Sequence, residues 1–121
     1  MAEYYSSFSR SDTRWLFQRL TAVFLIGVLA FHFVLLHFVH HAAEISLMGT
    51  QTRMSSLGYF LTMVGFLVAA TFHGVNGVYN ALVNQGLEGR PRQAVKAGLV
   101  VAGLALIVQG VRVSVAMTNL V

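Results

Sequence analysis

A histidine lies in the middle of a long apolar segment, which reads AATFHGVNGVYNALVN from residue 69 to residue 84. Hydrocarbon offers no partner to the ring nitrogens of His73, so an ionisable residue at this depth is a candidate functional site. On a helix, residues 69, 70, 74 and 77 lie within about one turn of that ring. All four are alanine or glycine, and they leave room for a close helix contact or for a flat cofactor against the backbone.

Haem is the flat cofactor that such a site favours, because imidazole is a common axial ligand of its iron and a planar macrocycle needs small neighbours. We therefore expect His73 to bind haem iron, and Ala69, Ala70 and Gly77 to lie beside the macrocycle. The alternative is a neutral histidine that hydrogen-bonds to a backbone carbonyl group or to a neighbouring helix.

The first apolar segment carries two polar faces. Helical spacing places these residues on one face: Arg14, Gln18, Thr21, Leu25, Val28 and His32. Arg19 and His37 share another face, so polar groups face protein on two sides of this helix. We expect His37 to reach water at the end of the span, and His40 and His41 to be solvated.

The composition of the chain is that of a membrane protein. Of its 121 residues, 56% are hydrophobic and only 10% are charged, whereas soluble proteins carry about 25% charged residues. So small a chain cannot bury that much apolar surface within itself, but a bilayer accepts it. The eight lysine and arginine residues flank the apolar segments, as topology signals do, and we expect no nucleic-acid partner.

Missing residue types exclude several kinds of chemistry. The chain has no cysteine, which rules out a disulfide framework, a thiolate-ligated iron–sulfur cluster and a cysteine nucleophile of its own. Any redox centre must then be held by histidine or methionine. The sequence also has no carboxylate pair, no Ser/His/Asp arrangement and no phosphate-binding glycine loop, so hydrolysis or group transfer by this chain alone is not expected.

Three apolar segments, residues 20–39, 57–83 and 97–117, are each near or above the ~20 residues that a transmembrane helix needs. We predict one all-α integral membrane domain over residues 1–121, with helices over about 13–39, 56–85 and 92–118. Sequence signals for the helix ends are Ser11 or Asp12 and Ser55 or Ser56 as N-caps, Gly86 after the second helix and Pro91 in the first turn of the third.

The basic residues predict how the chain crosses the membrane. Six of them fall on one side: Arg10, Arg14, Arg19, Arg90, Arg92 and Lys96. The opposite loop, residues 40–56, has only Arg53. By the positive-inside rule, we expect the N-terminus and the loop between the second and third helices to be cytoplasmic and the C-terminus to be outside. The chain would then be a multi-pass protein of the cell membrane.

The third segment places Gln109 and Arg112 within one turn of each other. We expect Arg112 to extend toward the outer surface or to pair with a partner subunit. The small residues of this segment are expected to contact another helix: Gly98, Ala102, Gly103 and Gly110.

Two stretches resemble the membrane anchors of succinate dehydrogenase, the succinate:quinone oxidoreductase of respiratory complex II. They are RWLFQRLTAVFL, followed by FH, in the first helix and FHGVNGVYNALVN at the end of the second. The resemblance is closest to the small second anchor of archaeal, particularly haloarchaeal, two-anchor enzymes, and it covers about residues 10–87. It implies that the chain is half of a two-subunit transmembrane helix bundle embedded in membrane lipid.

The resemblance implies an electron-transfer role within a larger complex. A flavoprotein subunit and an iron–sulfur subunit oxidise succinate on the cytoplasmic face, and the two anchors pass the electrons to a membrane quinone, here expected to be menaquinone. In that family the histidine matching His73 is an axial ligand of a b-type haem, and the second membrane anchor supplies the other ligand. Some relatives hold a second haem through a histidine at the place of His32, so one haem or two are expected.

The family binds its quinone near the cytoplasmic ends of the helices, with an arginine that matches Arg19. Many members also have an Asp-Tyr pair at the end of the second helix, whose tyrosine donates a hydrogen bond to a quinone oxygen. This chain has Asn84 and Gln85 there, and Tyr79, one to two turns earlier, is the expected substitute. We predict quinone contacts by Arg19, Gln18, Tyr79 and Asn84.

Two other functions compete with this one. The first is a non-redox subunit that scaffolds a larger membrane complex, with His73 and the nearby asparagines serving only as interhelical hydrogen-bond partners. The second is a cytochrome b subunit of a different quinone-linked oxidoreductase, such as a hydrogenase or a formate dehydrogenase.

Overall fold

The computed structural model describes residues 12–39 and 41–118, so Arg10, Ser11 and His40 lie outside the described residues. Within these residues, four α-helices follow in chain order: α1 (Asp12–Val34), α2 (Leu47–Met54), α3 (Leu57–Asn84) and α4 (Gly89–Met117). A π-helical turn over Leu35–Val39 extends α1, and a short 3-10 turn over Ala42–Glu44 comes before α2. No strand occurs within these described ranges.

Three segments are long and apolar enough to cross a membrane: Thr13–Val39, Leu57–Asn84 and Gly89–Met117. This confirms the predicted all-α fold class with three spans. The helix of the third span, α4, begins at Gly89 rather than near residue 92. The residue before it, Glu88, has the extended backbone of an N-cap residue (φ −134°, ψ 167°). Pro91 then lies in the first turn, where its missing N–H costs no helical hydrogen bond.

The end of α3 confirms the prediction for Gly86. This residue has φ +97°, a left-handed conformation that glycine adopts without steric cost. The amide of Leu87 donates to the carbonyl of Leu82 at 3.1 Å, and the amide of Gly86 donates to that of Val83 at 3.1 Å. These two bonds form a Schellman motif, which satisfies carbonyl groups that a helix end otherwise leaves unpaired.

Helix α2 lies in the loop that the sequence analysis treated as irregular. The hydroxyl of Ser46 caps it by accepting a hydrogen bond from the amide of Gly49 at 3.1 Å. Ser56 occupies the N-cap position of α3 as predicted, but its side chain makes no capping bond. Oγ of Ser55 instead lies 2.9 Å from the carbonyl oxygen of Gln51 and 3.2 Å from that of Thr118, and its single proton is shared between these two acceptors, the second of which lies at the end of α4.

Helix α3 packs against both α1 and α4. On the α4 side, a Cβ atom at Gly103 would lie 3.0 Å from Cγ2 of Val75 and 3.2 Å from Cγ2 of Thr71. A Cβ atom at Gly110 would likewise collide with the side chain of Leu67. Two of the predicted helix-contact glycines are therefore confirmed, because these backbones approach too closely for a larger residue.

The predictions that Gly98 and Ala102 contact another helix were wrong within this chain. A Cβ atom at Gly98 would have no neighbour within 4 Å, and Ala102 is exposed. Gly103 follows Ala102 by one residue, a rotation of about 100°, and that rotation decides which small residue meets α3.

Gln109 and Arg112 do lie together, with Nη1 of Arg112 donating to Oε1 of Gln109 at 3.4 Å.

Most apolar side chains face outward from the three long helices. Val23 is 70% exposed and Ile26 is 68% exposed, and Met54 of α2 is a buried hydrophobic residue. Three helices in which one contacts the other two have little interior, so lipid or a further protein must cover the remaining apolar surface. An exposed apolar surface of this kind is expected of a protein that lies in a membrane.

Candidate functional site

The polar face of α1 meets α3 at His73. The residues of that face from Gln18 to His32 are half-buried, whereas Arg14 at its start is exposed. Oγ1 of Thr21 lies 3.2 Å from Nδ1 of His73. The rings of Phe17 and Phe72 pack edge to face beside them, with centroids 6.2 Å apart. The helical spacing on α1 therefore predicted this contact face correctly, whereas Arg19 and His37 are exposed, so the expectation that the second polar face also faces protein is wrong within the described chain.

Gln18 joins α1 to α3 by two hydrogen bonds. Its Nε2 donates to the carbonyl oxygen of His73 at 3.3 Å, and its Oε1 accepts from Nδ2 of Asn76 at 2.8 Å. A side-chain amide that uses both ends in this way fixes the rotation and height of one helix relative to the other. The predicted contact of Gln18 with a quinone remains a prediction.

The small residues around His73 have different neighbours. A Cβ atom at Gly77 would lie 3.5 Å from Nε2 of Gln18, an ordinary van der Waals distance, so this glycine faces α1. Gly74 is exposed, and a Cβ atom there would meet nothing within 4 Å. Ala69 and Ala70 are half-buried. The open surface beside His73 is thus on the Gly74 side, and the contacts of Ala69, Ala70 and Gly77 with a cofactor remain predictions.

His32 lies far from His73 along the membrane normal. Thr21 is level with His73, and His32 comes eleven residues later on α1, about 16 Å further at 1.5 Å per residue. Its Nδ1 lies 3.3 Å from the carbonyl of Val28 and the side chain is half-buried. Because axial ligands of one iron must face each other across a single atom, the two histidines cannot share one haem.

His37 and His41, which follow His32 along the chain, are exposed. His37 lies in the π-helical turn, stacks on the ring of Phe33 with centroids 4.3 Å apart, and has Nδ1 3.0 Å from the carbonyl of Phe33. His41 is also exposed. Their exposure agrees with a surface position, and their contact with water remains a prediction. Among the described residues, no group of three or more histidine, aspartate or glutamate side chains could hold a metal ion.

A cavity of about 210 Å³ opens between α1, α3 and α4, at the end where α1 begins and α3 ends. We call this the basic end, because it carries five cations: Arg14, Arg19, Arg90, Arg92 and Lys96. Arg14 and Lys96 line the cavity together with Asn76 and Tyr79, and Phe72 and Leu99 supply apolar walls.

Tyr79 is held by a residue that the sequence analysis used only for topology. Nε of Arg92 donates to the hydroxyl of Tyr79 at 2.9 Å, and its guanidinium lies 5.7 Å from the ring centroid. Because the phenol oxygen accepts this bond, its own proton remains available to a second acceptor. The spacing of thirteen residues crosses a helix end and a turn, so no periodic signal could have revealed this pair.

The other three predicted quinone residues, Gln18, Arg19 and Asn84, are not among those that line this cavity. The guanidinium of Arg19 lies 4.4 Å from the ring centroid of Trp15 in a cation–π contact. Asn84 is exposed at the last residue of α3. Their contacts with a quinone remain predictions, whereas Tyr79 lies where three helices leave space.

The fold and the site define a multi-pass α-helical membrane protein with a histidine held between two of its spans. Comparison with protein families identifies it further: the model described as succinate dehydrogenase/fumarate reductase transmembrane subunit matches residues 5–111. The chain belongs to this family and is a membrane subunit, not itself catalytic, of that enzyme complex. Neither the curated proteins nor the solved structures gave a match.

Proposed function

We propose that this chain is a haem b-binding anchor that takes part in electron transfer from the iron–sulfur subunit to a membrane quinone. The observation that carries the proposal is the state of His73. Its Nδ1 is hydrogen-bonded to α1, and no hydrogen bond of its Nε2 is found within residues 12–39 and 41–118. Metal-binding histidines commonly have this arrangement, with one ring nitrogen fixed by the protein and the other left for the metal.

The donor set fits a b-type haem. Histidine is a common ligand of haem iron and one histidine from a chain is sufficient to contribute to such a site, so the lack of a larger ligand cluster in the described residues does not count against it. His73 would supply one ligand, and a second anchor subunit would supply another. Gly74, with nothing within 4 Å of its missing Cβ, keeps the backbone beside His73 open. When bound, a haem supplies an Fe(III)/Fe(II) couple for one-electron transfer.

A pyridine haemochrome spectrum of the purified complex tests this function. We expect protohaem in the native complex and its loss in His73→Ala. The matched control is His41→Ala, because His41 is exposed and lies outside the α1–α3 contact. Normal haem content in His73→Ala would remove His73 from the site.

His32 is the proposed ligand of a second haem. Its half-buried position and its Nδ1 contact with Val28 support the same mode of ligation as at His73. Counting haem per complex in His32→Ala tests it: a drop by one haem assigns His32, and an unchanged count leaves His73 as the single site in this chain.

The cavity at the basic end is the proposed quinone site, with menaquinone as the expected acceptor. Tyr79 would donate a hydrogen bond from its hydroxyl group to a quinone oxygen. The hydroxyl oxygen already accepts a hydrogen bond from Arg92, so the hydroxyl proton is the part of the group that is left for the quinone. Tyr79 is six residues from His73 along α3, about 9 Å, which keeps the two sites close. Arg14 and Lys96 place positive charge where a reduced quinone oxygen develops negative charge.

A non-redox scaffold is the second candidate function. The two hydrogen bonds of Gln18 support it, since interhelical hydrogen bonds are what such a subunit would use His73 and Asn76 for. Absence of haem from the intact, quinone-reducing complex would favour this candidate. The family match speaks against the remaining alternative, an anchor of a hydrogenase or formate dehydrogenase.

A further inference from the structure

We infer that Thr21 is a positioning residue for His73: its hydroxyl accepts the proton of Nδ1 and so leaves Nε2 with the lone pair that binds iron. This inference rests on the proposed haem ligation. It concerns which ring nitrogen is protonated and which way the ring faces, and neither follows from the presence of a histidine alone.

The hydrogen bonds of Thr21 settle the direction of its contact with His73. A hydroxyl has one proton, and Oγ1 of Thr21 lies 2.7 Å from the carbonyl of Phe17 and 3.0 Å from that of Gln18 on its own helix. A carbonyl only accepts, so either bond uses the hydroxyl proton. The contact of 3.2 Å with Nδ1 must then run from Nδ1–H of His73 to a lone pair of Thr21.

The opposite tautomer would fit the site poorly. If Nδ1 were unprotonated, Thr21 would have to turn its proton away from the two carbonyls toward His73. The ring would then carry its proton on Nε2, which faces no acceptor within the described residues. An unpaired donor in a span is costly, and an imidazole protonated on Nε2 has no lone pair there for a metal.

The backbone around this pair is fixed from both sides. Threonine is β-branched and has few side-chain rotamers in a helix, so the position of Oγ1 follows from that of α1. Gln18 holds α1 at the height of His73 by bonding to its carbonyl oxygen. The ring of His73 is therefore aimed by a rigid acceptor and not by a flexible side chain.

Thr21→Val tests the inference, because valine keeps the branched shape and removes the hydroxyl. Loss of an outer-shell partner of a metal-bound histidine typically lowers metal affinity about 10- to 100-fold. We expect haem occupancy to fall when haem supply is limiting. In the haem that remains, the reduction potential should rise, because an imidazole without this acceptor donates less electron density to Fe(III).

Three further variants separate the hydrogen bond from packing. Thr21→Ser keeps the hydroxyl and should restore the native haem content and potential, whereas Thr21→Ala should behave like Thr21→Val. Thr62→Val is the matched control, because Thr62 is an exposed threonine whose hydroxyl donates to the carbonyl of Gly58 at 2.8 Å, away from His73. It should leave both quantities unchanged.

The measurements are redox titrations of the haem absorbance in membranes and haem counts per assembled complex. A native potential and occupancy in both Thr21→Val and Thr21→Ala would overturn the role of Thr21. So would equal losses in Thr21→Ser and Thr21→Ala. If His73→Ala loses haem in the same experiment, the proposed function stands without this role; if His73→Ala retains haem, the proposed function itself fails.

Discussion

The close approach of α3 and α4 behind His73 makes Gly103 sensitive to substitution by a larger residue. Gly103 is buried and faces Val75 and Thr71, which lie two residues on either side of His73. A Cβ atom there would be 3.0 Å and 3.2 Å from their methyl groups. Both neighbours are β-branched and cannot turn aside without leaving their preferred rotamers, so Gly103→Ala requires α3 or α4 to shift by a few tenths of an ångström.

The expected cost can be estimated from two opposing effects. Overpacking a tight contact costs about 1–3 kcal/mol, and replacing a helical glycine by alanine recovers roughly 0.5–1 kcal/mol. The two ranges give a net loss between about 0 and 2.5 kcal/mol, and a value near the middle, about 1 kcal/mol, lowers the folded-to-unfolded ratio roughly fivefold. Gly98→Ala is the matched control on the same helix, because its Cβ would meet nothing within 4 Å, so it should be neutral or slightly stabilising.

Stability would be measured by SDS titration of the detergent-solubilised complex, with the intact fraction read by size-exclusion chromatography. Gly103→Ala should shift the midpoint to lower SDS, and Gly98→Ala should not. Adding Val75→Ala to Gly103→Ala removes the nearest methyl group and should recover part of the loss. Equal midpoints for the two glycine variants would refute the packing argument.

Three other results are expected. Tyr79→Phe removes the proposed donor and should raise the KM for quinone about tenfold, with succinate oxidation by a water-soluble acceptor unchanged; an unaltered KM would exclude Tyr79 from the quinone site. Gln18→Leu breaks both bonds to α3 and should destabilise the complex by about 1–2 kcal/mol in the same SDS titration, whereas Gln93→Leu, at an exposed position, should have no effect. A protease-cleavable tag at the N-terminus should be cut only from the cytoplasmic side of sealed vesicles, and cleavage from the opposite side would reverse the predicted topology.

Local signals in the sequence were sufficient for the three spans and for several of their ends. A run of apolar residues needs no partner to be read as a span, and Gly86 ends α3 because its own φ of +97° suits glycine. The periodicity on α1 also predicted that Gln18 and Thr21 share a face. In each case the physical cause lies within one helix or one turn, and the sequence contains all of it.

Only the tertiary structure decided which groups meet. Residue size alone placed Gly98 and Gly103 together among the expected helix-contact residues, but the rotation of α4 against α3 brings Gly103 alone of the two into contact. The bond from His73 to Thr21 joins residues 52 positions apart, and that from Arg92 to Tyr79 crosses a helix end. Such contacts depend on the height and rotation of one helix relative to another, which many side chains determine together and no single segment encodes.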